Sequence, residues 1–299
     1  MPRRYLVMLL ALSAIWGASY LLNEIALREL EPAALIEGRF LFGAVVLVPV
    51  LLLGARRGAS TAALRGSAGP LAVVALLNAV APFFLIAWGQ QWIDSGLTGI
   101  LLASSPLFTA LVAAGYDRGQ AVTGFRLAGV VVGFVGVALL LGVAPGGGER
   151  ALGGAISVVA AALLYAASGL YVGRRLAGVP PVVVATGTTV WAVLVTLPAA
   201  LWQRPAGLPG WETVAALAAL GVGGTGIAYL LYFAIIGGAG ASSAILVNYL
   251  IPTMAVLYGV VLLDEPLAAA SLAGLALILA GVALGTGSLR PRRALQARR

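Results

Sequence analysis

The 299 residues contain no cysteine, no histidine and no lysine, and only 9 % of them are charged. Without cysteine and histidine there is no disulfide, thiol nucleophile, Ser-His-Asp triad, histidine proton relay or ordinary zinc site. Without lysine no glycine run can act as a phosphate-binding loop, so Gly146-Gly147-Gly148 gives no support to ATP-driven transport. The scarcity of charge excludes a soluble fold: 61 % of residues are hydrophobic and the mean hydropathy is +1.05, far from the composition of soluble domains. A chain of this length and composition has room for helical spans and little else, so its function must reside inside the helix bundle.

Apolar runs broken at arginine, acids, proline and glycine predict ten transmembrane helices, at 5–22, 33–54, 69–88, 94–114, 122–143, 152–173, 181–202, 211–235, 241–262 and 267–287. Arg3 and Arg4 before an apolar run resemble a signal peptide, but the run continues through Trp16, Gly17 and Tyr20 without a clear cleavage pattern and reads as the first span. All the positive charge is arginine, and it punctuates the apolar runs, which argues for orientation rather than nucleic-acid binding. With the N-terminus inside, the inner connections and tail carry 14 arginines, among them Arg56, Arg57, Arg118 and the tail at 288–299, against Arg28, Arg150 and Arg204 outside. Both termini are therefore expected to be cytoplasmic, with the tail an anchor on membrane lipid.

An internal repeat follows. Leu127-Ala128-Gly129 with Gly136-Val137-Ala138-Leu139 recurs with the same internal spacing as Leu272-Ala273-Gly274 with Gly281-Val282-Ala283-Leu284. Pro32 and Pro181, Trp16 and Tyr165, Trp88 and Tyr232, and Pro106 and Pro252 pair in the same order. Two repeats, 1–147 and 148–299, each hold five spans. The second therefore enters the membrane from the opposite side, and inverted repeats suit alternating access. Gly129 and Gly133 fit small-xxx-small packing, within the chain or in a dimer, so monomer and homodimer both stand.

The chain resembles the drug/metabolite transporter superfamily, and within it the ten-helix EamA-type proteins. The resemblance rests on Ile15-Trp16-Gly17-Ala18-Ser19, Arg39, Pro106, Asp264-Glu265-Pro266 and the paired Leu-Ala-Gly helices, and spans about residues 5 to 287. It implies an all-α bacterial inner-membrane exporter or facilitator of small neutral or zwitterionic metabolites, amino acids including aromatic ones among them, with sugars, nucleobases or drugs as the alternative cargo. The first helix carries Ser13, Trp16 and Ser19 where the four-helix multidrug members place a proton-exchanging glutamate, which disfavours proton-coupled export of organic cations. A lipid-modifying enzyme would need a nucleophile, base or metal cluster that cannot be assembled from this sequence, and a channel or scaffold has no need of inverted repeats. No cofactor or metal is expected.

Candidate residues come from what is polar or aromatic at depth. Glu37 and Arg39 are the two ionisable groups inside a span, read either as helix packing or gate pairing, or as substrate contacts. Trp16, Tyr165, Tyr229 and Tyr249 lie too deep for an interfacial belt, and Tyr20 shares a helix face with Trp16 at i, i+4. They read as the lining of an apolar central cavity, or as plain interhelical packing. Asn78, Asn248, Ser104 and Ser105 are polar at depth, either bonding between helices or facing the substrate. Pro82, Pro106 and Pro252 free backbone carbonyls, as openings for ligand or as simple kinks. Glu265 with Pro266 reads as the cap of the last helix.

Overall fold

The computed structural model describes residues 2–54, 57–116, 123–143, 148–205, 207–244 and 246–285, and among these every regular element is helical. The tail at 288–299, Arg56, Arg118, Gly146 and Gly147 lie outside the described residues. The helices are α1 (Arg3–Leu27), α2 (Pro32–Leu53), α3 (Arg57–Gly66), α4 (Ala68–Gly89), α5 (Ser95–Gly115), α6 (Phe125–Val143), α7 (Gly148–Arg175), α8 (Pro181–Trp202), α9 (Trp211–Ala239), α10 (Val247–Leu262) and α11 (Ala269–Gly285). Eight of them, α1, α2 and α4 to α9, are long and apolar enough to cross a bilayer, while α10 and α11 are apolar but shorter, at 16 and 17 residues. Each expected span overlaps a described helix, the ninth beginning on a separate four-residue helix, Ala241–Ala244, ahead of α10; residues 122, 245, 286 and 287 of these spans lie outside the described residues. The short α3 was not expected: its Arg57, Arg65, serine, threonine and glycine content breaks any apolar run, and it forms as an amphipathic helix instead.

Three departures from regular helix shape the middle of the bundle. In α4 the turn Leu76–Val80 widens to π-helix just before Pro82, whose ring nitrogen cannot donate to the preceding turn. In α9 the glycine-rich stretch Ala219–Ile227 does the same over nine residues. In α5 the helix breaks at Ala103-Ser104 and resumes at Ser105, with Pro106 in the new first turn and the Ser104 hydroxyl donating to Leu101 O at 2.6 Å. Pro252, by contrast, is buried within an unbroken α10.

The repeated glycine motif finds its own copy. A Cβ on Gly129 would lie 2.6 Å from Gly281 O, one on Gly281 would lie 2.6 Å from Gly129 O, and one on Gly136 would lie 2.8 Å from Gly274 O, so α6 and α11 pack backbone on backbone. The glycines thus serve packing within the chain. Helices of the two halves also meet where α2 lies on α8 and α9, and α1 on α9 and α10.

One end of the bundle is closed by side chains of one half capping helices of the other. Helix N-termini leave backbone N–H groups without partners, and acids or amides placed there satisfy them. Glu265 accepts from Ser95 N (2.8 Å) and Gly96 N (2.9 Å) at the start of α5, Glu29 accepts from Gly210 N (2.7 Å) before α9, and Gln203 accepts from Ala33 N (2.8 Å) in α2. This corrects the expectation for Glu265. The last helix begins at Ala269, beyond Pro266, so Glu265 cannot cap it; Asp264 takes a left-handed φ of 54°, turning the chain so that the carboxylate reaches α5. A cavity of about 370 Å³ lies beside this cap, lined by Trp92, Asp94, Leu97, Val256, Glu265 and Pro266. At the other end Arg126 donates to Gly285 O at 3.3 Å, and the Tyr5 hydroxyl lies over Gly238.

Candidate functional site

The expected residues of five helices converge on Arg39. It stands in the second turn of α2, facing the widened turn of α9, because the two backbones approach closely: Gly221 lies against the Arg39 carbonyl and Gly43 against Thr225. With 2 % of its surface exposed, Arg39 is the one buried basic side chain among the described residues. Its Nε donates to Thr225 Oγ1 at 3.2 Å and its guanidinium lies 4.3 Å above the Phe83 ring, a cation–π distance. Phe83 is in turn flanked edge-on by Phe40 (5.6 Å) and Tyr165 (6.4 Å). Tyr20, Tyr165 and Tyr229, all phenols, lie within electrostatic reach of Arg39. One guanidinium nitrogen, NH1, is buried without a hydrogen-bond partner.

The rim of this group is polar and aromatic. Trp16 Nε1 donates to Gly224 O at 3.1 Å, bonding a carbonyl of the π-turn, and its ring packs 5.5 Å from that of Tyr232. Asn78, in the π-turn of α4, lies within electrostatic reach of the Tyr229 hydroxyl across the two halves. A short relay closes the side toward the capped end: Asn23 Nδ2 donates to Gln90 Oε1 at 2.9 Å, and Gln90 Nε2 donates to Tyr20 O at 3.0 Å.

The structure thus brings Trp16, Tyr20, Arg39, Asn78, Tyr165 and Tyr229 into one neighbourhood, and Pro82 sits one residue before Phe83. The other candidates lie elsewhere. Glu37, two residues from Arg39, faces α8 and accepts a hydrogen bond from Thr196, with its second carboxylate oxygen buried and unpartnered. Thr196 and Ile36 border a separate apolar groove of about 360 Å³ with Val80, Phe84 and Val195. Ser104, Ser105 and Pro106 mark the break of α5; Tyr249 is half-buried against the α5–α7 core; Asn248 is exposed at the start of α10; Pro252 is buried further along it.

Phe83, Thr225 and Gly224 did not stand out in the sequence as binding residues. Thr225 could have been found from the glycine cluster Gly221, Gly223, Gly224 and Gly226 around it, since only small residues let α9 approach α2 so closely.

A bundle of apolar helices with a buried basic and aromatic cluster drawn from both halves, and widened turns in two of its helices, has the form of a membrane transporter. The chain belongs to the EamA-like transporter family, whose model matches residues 3–142 and 152–286. Among curated relatives it is 25 % identical to the uncharacterized transporter YvbV of Bacillus subtilis strain 168, covering 95 % of this chain and 92 % of the other. A probable amino-acid metabolite efflux pump of Salmonella typhimurium is 25 % identical with 98 % of each covered, and the uncharacterized inner membrane transporter YedA of Escherichia coli K12 is 27 % identical over 93 % and 89 %. A solved crystal structure 22 % identical in sequence superposes with a TM-score of 0.68 over 97 % of this chain and 99 % of that one, showing the same fold.

Proposed function

We propose that this transporter exports or facilitates the movement of small neutral or zwitterionic metabolites, amino acids and aromatic amino acids foremost, across a bacterial inner membrane by alternating access. The observation that carries the reading is the convergence of Trp16, Tyr20, Asn78, Tyr165 and Tyr229 from both halves of the chain on one buried point. Such a surface offers ring faces to an apolar side chain and a few fixed polar groups to a headgroup, which is the usual make-up of a small-molecule site. The relative described as an amino-acid metabolite efflux pump supports this cargo, and the inner-membrane relative supports the location.

In this reading α10 and α11 also cross the bilayer, giving ten spans, with 1–147 and 148–299 as inverted repeats. The family model matching the chain twice and the two copies of the glycine motif packing on each other both support it. Both termini are cytoplasmic, following the arginine distribution. The end closed by Glu265, Glu29 and Gln203 is then the outer one, and these cross-half caps are what must part when the site opens outward.

The test is uptake by proteoliposomes containing the purified chain, with labelled neutral, aromatic, cationic and anionic amino acids, each with and without a pH gradient. Flux of neutral or aromatic amino acids without a gradient is the expected result. Accumulation only under a gradient would replace the facilitator reading with a coupled one, and flux of none would move the cargo to another class.

A further inference from the structure

Arg39 has less around it than a structural arginine needs. Its Nε is satisfied by Thr225 and one face by Phe83, but NH1 has no partner, and the nearest acid in sequence, Glu37, is committed to Thr196 on another helix. A guanidinium enclosed without a counter-ion costs several kcal/mol, and buried cations that serve packing alone are ordinarily paired. Tyr20, Tyr165 and Tyr229 surround the charge without neutralising it. The missing counter-ion would therefore come and go with something that enters the bundle.

We infer that Arg39 receives the carboxylate of the transported molecule, so that the carboxylate, rather than an amino group, is the feature a substrate must have. A guanidinium presents parallel N–H donors that match a carboxylate, and the bond is strong where water is excluded. The Phe83, Tyr20 and Tyr165 rings are placed to take the apolar remainder. Glu37, the carboxylate nearest Arg39 in sequence, is turned to Thr196 and is not placed to hold an ammonium beside Arg39. A primary amine lacking the acid group would bring a second positive charge beside the first. The inference rests on the transport reading of this same site and narrows it.

The experiment is competition against flux of a transported amino acid, in proteoliposomes of the full chain. For phenylalanine the competitors are 3-phenylpropionate, phenylalaninamide, phenylalanine methyl ester and 2-phenylethylamine. The acid without the amine is expected to compete within about 10-fold of phenylalanine itself, and the amide, ester and amine to be weaker by about 100-fold or more, the usual cost of leaving a buried charge unpaired. Arg39→Gln should lose about 100-fold in apparent affinity and Arg39→Lys less, neither with a fall in melting temperature, since Gln relieves the cost of the unpaired charge and Lys keeps the charge. Amide and ester competing as well as the acid would overturn the inference while leaving amino-acid transport standing.

If Arg39→Gln does not fold, the competitor series on the native chain decides by itself. Should no amino acid be transported, the cargo reading fails separately, and thermal stabilisation of the purified chain by 3-phenylpropionate and by inorganic phosphate becomes the readout. Stabilisation by the carboxylate that Arg39→Lys weakens upholds the assignment; stabilisation by phosphate alone, or by neither, overturns it.

Discussion

The seam between α6 and α11 and the neighbourhood of Arg39 are both places where the two halves of the chain meet, yet they are built on opposite terms. The seam is backbone against backbone at Gly129 and Gly281, with apolar side chains such as Leu140 seated against Gly274. Around Arg39 the backbones of α2 and α9 also approach closely, but the space beside them is filled by rings and hydroxyls, two helices widen into π-turns, and a buried nitrogen stays unpaired. A seam of this kind has one arrangement, while a polar site with an open hydrogen bond has reason to change partners. Under the proposed function, the contrast separates the part of the bundle that holds its shape from the part assigned to cargo.

The largest effect should come from breaking the seam. Gly281→Leu places a branched side chain where a Cβ alone would lie 2.6 Å from Gly129 O, and should destabilise by more than about 3 kcal/mol, seen as loss of the monodisperse peak in detergent chromatography. Trp16→Phe keeps an aromatic ring but removes the indole N–H that bonds Gly224 O; leaving that carbonyl unpaired should cost about 1–2 kcal/mol of stability, a smaller fall in melting than the seam variant, and the smaller ring should raise the apparent KM for flux by roughly 10-fold. Equal effects on folding at both places would erase the distinction drawn between them.

The capped end provides a third, smaller test. Glu265→Gln replaces a charged acceptor at the N-terminus of α5 with a neutral one and should weaken the cap by about 0.5–1 kcal/mol, increasing hydrogen exchange at Ser95 and Gly96 without altering exchange in the seam. The smallest effect is expected at Asp94, whose carboxyl is pushed above its usual range by partial burial and then by the neighbouring Glu265 carboxylate. A carboxyl raised in the folded state disfavours folding once ionised. Its penalty is absent below the unfolded value near ~3.9 and fully present once the pH has passed the raised folded value. Asp94→Asn should therefore raise the melting temperature by no more than about 2 °C at pH 7 and leave it unchanged at the acid end of a pH series.

Much of the scaffold was legible because the forces that make it are local. Apolar runs located the spans, and the repeated glycine motif announced a close helix contact, though not that each copy packs on the other. Arg39 and Tyr165 were found because a charge or a ring hydroxyl inside a span is expensive enough to stand out, and Tyr20 because it shares a helix face with Trp16. The partners were not legible. Thr225 lies 186 residues from Arg39, and Glu265 lies 170 from the Ser95 amide it caps, so a locally sensible cap for the last helix gave way to a distant one. Nor do the π-turns follow from composition, since a shift of hydrogen-bond register leaves only loose traces such as Pro82 and the Gly223-Gly224 pair.

The absence of native cysteine makes the central claim, that cargo occupies the space around Arg39, open to a direct measurement. Ser19 is buried on α1 beside the Gly224 turn that Arg39 faces, and Ser19→Cys would be the sole thiol in the chain. In proteoliposomes that transport a given amino acid, labelling of that thiol by a small maleimide should slow in proportion to the amino acid added, with half-protection near its KM. Transport that proceeds while the labelling rate stays indifferent to the amino acid would place the cargo elsewhere and contradict the account.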